Sequence, residues 1–314
     1  MQIPVLVFVL KRIGYMVFTM VAVSLLVFLL LEVNVEGVAV GVLGPYSTEE
    51  QRNLWLEANG YFRPAYVRYF EWVSRFFTGD LGHSVRFNVP VADIMWPRLW
   101  NTAILGFWAM AIIIPMSLVL GVLAGMKEGS PQDRAVSLLC ILTVSVPEFA
   151  TATFFSAVFV FGLKWLPGIS AMTDGFDWVQ LILPVAVLVT YDFGYVARMT
   201  RASMAEVMTT AYIRTAFLKG LPYRIVISKH ALRNALIAPF TVILLQFNWL
   251  LNGVIVVEFA FAYKGFGALL LEASLNEDIY LIEACSMVAV FVAVSTQVLA
   301  DIGYMYLNPR IRFK

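Results

Sequence analysis

Two carboxylates stand where a carboxylate is costly. Asp192 in VTYDFGYV and Glu148 in SVPEFAT interrupt otherwise apolar runs, and an ionisable group in hydrocarbon persists only against a partner or a watered cavity. Such groups could hold a proton or attract a cationic solute along a path. They could equally serve as internal hydrogen-bond acceptors, and the residues alone leave both roles open. Gln246, Asn248 and Asn252 fall in another apolar run, where amides either bridge helices or line a pore. The other concentration of polar residues is basic: YIRTAFLKGLPYRIVISKHALRN, Tyr212–Asn234. In it Ile213, Ala216 and Phe217 make an apolar stripe, Gly220 stops the helix and Pro222 follows. A short helix with a glycine stop is a shaped, protruding element suited to a groove in another protein.

Other chemistry is missing. The chain has no G-x-x-x-x-G-K-[ST] phosphate loop, no glycine-rich turn after a strand and no H-E-x-x-H, so it is not expected to bind a nucleotide or zinc by those means. His83 and His230 have no sequence neighbours that would make them ligands. Cys140 and Cys285 both fall inside apolar runs and imply neither a disulfide framework nor a metal site. No nucleophile and base set stands out, and an enzyme is not expected. No cofactor is assigned to this chain, and no nucleic acid.

The elements that must position these residues are membrane helices. The 314 residues are 61% hydrophobic and 14% charged, with mean hydropathy +0.81, too little polar surface to cover a soluble globule. Crossing a hydrocarbon core takes roughly 20 helical residues. Uncharged runs of that order occur at 13–31, 100–126 and 235–257, with near-equivalents at 135–163, 179–197 and 284–300. The expected fold is all-α: an integral membrane protein of six transmembrane helices. Lys and Arg resist translocation. Lys11, Arg12, Lys127, Arg134, the basic residues from Arg198 to Arg233, and Arg310, Arg312 and Lys314 share one side, while the opposite short loops hold only Lys164 and Lys264. Both termini and the basic loop are therefore expected to be cytoplasmic. The first run is read as a retained helix rather than a cleaved signal.

The chain accordingly divides into 1–32, the N-terminus and first span; 33–99, an extracytoplasmic segment; 100–307, a five-helix core with a cytoplasmic loop at 198–234; and 308–314, a cytoplasmic tail. Within 33–99, Tyr66, Tyr69, Phe70, Val73, Phe76 and Phe77 recur at helical spacing, which predicts an amphipathic helix for the bilayer interface or a protein contact. TGDLGHSV after it reads as a turn.

Several of these pieces, taken in order, resemble the permeases of binding-protein-dependent ABC transporters of the peptide/nickel class. They are the basic pair before the first span, TGDLGHSV, RMTRASM, YIRTAFLKGL, HALRNAL, KGFG and the terminal NPRIRFK. The resemblance implies a coupling helix over Ile213–Leu221 seated in a cleft of a separate ATPase, with Tyr212, Ile213, Arg214, Thr215, Ala216, Phe217, Lys219, Gly220 and Leu221 as contact residues. The general motif's Glu-Ala-Ala is Arg214-Thr215-Ala216 here, and Ala216-Phe217-Leu218 departs from the Ala-Arg-Ala usual before Lys-Gly in the class. The resemblance further implies a non-catalytic subunit of an ATP-driven importer in a prokaryotic inner membrane. Its partners would be a second homologous permease, two cytoplasmic ATPase subunits that use ATP and Mg, an extracytoplasmic substrate-binding protein and membrane lipid. Peptides, nickel or metallophore complexes, opines and oligosaccharides are the implied cargo classes. Asp192, Glu148, Gln246, Asn248 and Asn252 are the candidates for the path. The rival reading is a self-sufficient secondary transporter or channel with Asp192 and Glu148 as a proton relay.

Overall fold

The structure, a computed structural model, describes residues 3–32, 35–172 and 175–307, with the side chains of 3–9, 35, 248–253 and 304–307 outside that description. Among the described residues there is no strand, only one bridge between His83 and Pro90. Among the described residues four helices are long and apolar enough to cross a membrane, and two bent pairs raise the number to as many as six.

Two compact units divide the chain, Met1–Thr102 with Gly265–Val298, and Ala103–Lys264 with Leu299–Lys314. In the first lie α1 (Ile3–Glu32), α2 (Val35–Leu43), α3 (Glu49–Ala58), α4 (Ala65–Thr78) and the start of α5 (Val91–Gly125), together with α13 (Phe266–Leu275) and most of α14 (Ile279–Leu307). Thr48 caps α3 by accepting from the Gln51 N–H while the Gln51 side chain returns to the Thr48 N–H, satisfying two otherwise orphaned donors. The aromatic repeat forms α4 as its spacing predicts. Trp72 is buried, Tyr69 and Val73 are half-buried, and Tyr66, Phe70 and Phe77 are exposed. Gly79 ends the helix at φ 82°, a left-handed position that glycine occupies without penalty. Phe28 of α1 meets Tyr69 edge-on at 5.4 Å and stacks on Trp72, and the Ser24 and Tyr69 hydroxyls lie 2.8 Å apart. The turn at Thr78–Val85 is anchored by Asp278, whose carboxylate accepts from the Ser84 hydroxyl at 2.6 Å and from the Arg86 N–H at 3.0 Å.

The second unit holds the rest of α5, then α6 (Pro131–Ser145), α7 (Glu148–Phe155, continued as a π-helix over Ser156–Gly162) and α8 (Trp178–Met208). It continues through α9 (Ala211–Leu218), α10 (Tyr223–Ile225), a π-helical turn at Val226–Ala231, α11 (Leu232–Ala235) and α12 (Ile237–Ala260). α8 is the axis of this unit: it packs against α6, α7 and α12, and Val187, Leu188, Val196 and Ala197 are fully buried or nearly so. α5 approaches it through Gly121 and Gly125. A Cβ at Gly121 would stand 2.5 Å from Thr200 Cβ and 2.7 Å from the Ala197 carbonyl, and one at Gly125 would stand 2.5 Å from the Arg201 carbonyl. Only a residue without a side chain permits that backbone approach.

The expected third span, 135–163, is two helices meeting at 101°. Pro147 lacks an N–H and disfavours the helical region for the residue before it. Val146 is accordingly extended, at φ −95° and ψ 124°. Pro184 interrupts nothing, since α8 runs through it. The ends of α6 and α8 are tied by charge: Arg201 donates to both Asp133 oxygens at 2.8 Å and to Glu128 at 3.2 Å. Asp133, buried, also accepts from the Gly129 N–H at 2.8 Å.

Candidate coupling surface and buried polar cluster

α9 follows α8 after a two-residue break at Thr209 and Thr210. Its end has a Schellman pattern: the Leu221 N–H donates to the Ala216 carbonyl at 3.3 Å and the Gly220 N–H to the Phe217 carbonyl at 2.9 Å, with Gly220 at φ 76°. A Cβ there would meet nothing within 4 Å, so the need for glycine is conformational rather than steric.

The sequence stripe divides. Ile213 is fully buried and Ala216 nearly so, packed with Met204, Val226, Ile227 and Ala231 of the same chain. Phe217 is 39% exposed and Leu218 is 83% exposed. At 100° per residue Phe217 sits about 40° round the helix from Ile213, at the edge of the inner face, and Leu218 about 140° away, on the outer one. The stripe of Ile213, Ala216 and Phe217 is therefore not one contact face: the first two hold α9 to its own chain. Leu218, which the motif reading passed over, is the most prominent apolar group on the helix, and helical phase alone points to it. Tyr212, Arg214, Thr215, Lys219 and Gly220 are exposed, and Leu221 is half-buried. Phe217 stacks on Tyr223 at 5.9 Å, and Asn234 donates to the Tyr212 hydroxyl at 2.9 Å, so the outer face is braced by the segment that follows it.

Asp192 lies midway along α8, 4% exposed, and accepts from Gln246 Nε2 of α12 at 2.5 Å. Glu148, half-buried in the first turn of α7, is near enough for its charge to act on Asp192. α7 packs on both α8 and α12, so three helices bring these groups together. Glu148 also occupies a helix N-terminus, where the peptide dipoles favour a negative charge. The side chains of Asn248 and Asn252 lie outside the described residues, as does the terminal NPRIRFK. Among the described residues no group of three or more His, Cys, Asp and Glu could hold a metal ion, and both cysteines are buried and unpaired.

The second unit is thus a set of bent apolar helices about a buried polar cluster, with a braced amphipathic knuckle between two of the apolar segments. Residues 117–313 match the family described as the binding-protein-dependent transport system inner membrane component, and the chain belongs to it, as a permease of the peptide/nickel class of ABC transporters. A Brucella abortus (strain 2308) protein, named provisionally as a peptide transport system permease, is 35% identical over 309 residues, 97% of this chain and 98% of its own. The oligopeptide transport system permease protein AppB of Bacillus subtilis (strain 168) is 30% identical over 279 residues, 87% and 88% of the two chains. The glutathione transport system permease protein GsiC of Shigella flexneri serotype 5b is 32% identical over 307 residues, 98% and 99%. A crystal structure of an amino acid ABC transporter with histidines shares the fold at TM-score 0.54 and 15% identity, over 68% of this chain and 94% of that one.

Proposed function

We propose that this chain forms half of the path of an ATP-driven importer for peptides or similar small solutes, and that α9 passes motion from a partner ATPase to α8. The observation that carries the reading is the build of α9. Its inner face is fixed by Ile213 and Ala216 to a cluster that includes Met204 of α8, while Leu218 is left outward and Phe217 stands at the edge between the faces. A force on that outer face is delivered to the axis of the unit. The relatives' names supply the cargo class: peptide, oligopeptide and glutathione.

In this reading the partners are a second homologous permease, two cytoplasmic ATPase subunits that use ATP and Mg, and an extracytoplasmic binding protein. The termini and the 198–234 loop face the cytoplasm, in keeping with the distribution of Lys and Arg, and 33–99 faces outward to receive the binding protein. Asp192, with Glu148, Gln246 and the sequence neighbours Asn248 and Asn252, belongs to the path and biases it toward cargo bearing an amine. The test is co-purification. The ATPase subunit should come down with the wild-type chain and be lost with Leu218→Asp when both permeases insert equally. Retention of the ATPase by Leu218→Asp would refute the docking assignment.

A further inference from the structure

The first unit contains a polar cavity of about 500 Å³ that the transport reading does not use. Three Arg and three Glu line it. Arg63 pairs with Glu71 at 2.7 Å, and Arg68 pairs with Glu32. Arg75 and Glu283 remain. They feel each other's charge but form no ion pair. Glu283 is only 8% exposed, lines the cavity and makes no hydrogen bond to the other described residues. A buried carboxylate that faces a void rather than a partner calls for a cation.

The walls suit an ammonium group. Trp72 and Tyr280 line the cavity beside Glu283, and aromatic faces attract cations. Tyr61 already carries the Arg68 guanidinium 5.2 Å from its ring centre. Burial first, and then Tyr280 and Glu283, hold the Tyr61 phenol above its usual range, so it stays a neutral donor. Arg75 offers the planar fork that phosphate accepts.

Next to this cavity lies an apolar groove of about 630 Å³, and Trp72 lines both. The same helix faces run through the two. On α1, Phe28 lines the cavity, and Ser24, Val21 and Val17 line the groove; on α14, Glu283 lines the cavity, and Met287 and Phe291 line the groove. Steps of three and four residues keep each set on one face. A charged head space and an apolar groove thus lie side by side with Trp72 in the wall of each, and both volumes fall in the range of about 300–1,000 Å³ usual for small-ligand sites. A soluble zwitterion would satisfy the charges and leave the groove unexplained.

We propose that this unit binds one phospholipid with a primary-ammonium head, its ammonium on Glu283, its phosphate on Arg75 and one acyl chain in the groove. The test is native mass spectrometry of the full chain extracted from vesicles of equimolar phosphatidylethanolamine, phosphatidylcholine and phosphatidylglycerol. One phosphatidylethanolamine should be retained, at least fivefold over either other lipid. Glu283→Gln should abolish that preference, and Arg75→Gln, on an exposed side chain, should lower retention about fivefold. Val21→Trp, at a position 54% exposed in the groove, should lower retention of every lipid while thermal unfolding is unchanged. Equal retention of the three lipids overturns the head assignment, as does wild-type retention by either charge variant that folds. Loss of the adduct to a millimolar triglycine wash would assign the cavity to a soluble zwitterion. Loss of association with a second permease in Val21→Trp, with the lipid still bound, would assign the groove to protein.

Discussion

Two apolar residues on opposite faces of α9 should respond in opposite ways to the same truncation. Leu218 is 83% exposed and Ile213 is fully buried. Leu218→Ala removes three carbons beyond Cβ. At about 0.8 kcal/mol per buried methylene this costs about 2.4 kcal/mol if docking buries the side chain fully and about 1.2 kcal/mol if it buries half. At 1.4 kcal/mol per decade the ATPase affinity should fall between about 7-fold and about 50-fold, with no change in the stability of the permease itself. Ile213→Ala should instead cost about 2–5 kcal/mol of local stability, because it opens a cavity under the helix. The assay pairs thermal unfolding of the purified chain with titration of the ATPase onto the permease in nanodiscs. A Leu218→Ala chain that melts as early as Ile213→Ala, or that binds the ATPase within twofold of wild type, would refute the division of α9 into an anchored and a docking face.

Gly220→Asn should retain more transport than Gly220→Val: the position has φ 76° and open space, so the penalty is backbone strain of about 1–3 kcal/mol; equal rates for the two would show that strain is not the determinant. Asp133→Asn should lower the melting temperature through loss of a charge-assisted pair, about 1.5–3 kcal/mol, and a melting curve coincident with wild type would mean that the α6 to α8 tie at Arg201 carries no stability. Asp192→Asn keeps an acceptor for Gln246 while removing charge, so assembly and basal ATP hydrolysis should be normal while transport of cationic relative to neutral peptides falls; an unchanged ratio refutes a role in the path. Tyr46→Cys, at a position 98% exposed, should react with an impermeant thiol reagent added from outside against a background of two buried cysteines, and labelling only from the cytoplasmic side would invert the proposed topology. Ser84 cannot serve as that probe, being buried and bonded to Asp278.

Much of the fold is legible because apolar composition and helical phase are local properties. The aromatic spacing of Tyr66 to Phe77 predicts α4, and the glycine after Lys219 predicts the end of α9. The start of α5 at Val91 is hidden from a search for uncharged runs by Asp93 and Arg98, although Val91 and Met95 are core residues. Pro147 and Pro184 look alike in sequence. One stands at the break between two helices and the other inside a continuous helix. The Asp192 bond to Gln246 and the Asp133 pair with Arg201 join residues 54 and 68 positions apart. Periodicity carries no information at that range: Asp133 lies in a polar stretch that does not mark it, whereas apolar surroundings mark Asp192.

The bond from Ser84 to Asp278 spans 194 residues, and its consequence lies in biosynthesis. At about 5–20 residues per second, the ribosome needs about 10–40 s after making Ser84 to make its acceptor. Through that interval the loop bearing Ser84 and Arg86 has been synthesised without the carboxylate that anchors it. The nascent first unit must therefore wait, half-finished, for the end of the chain, and quality-control proteases have their opportunity during that wait.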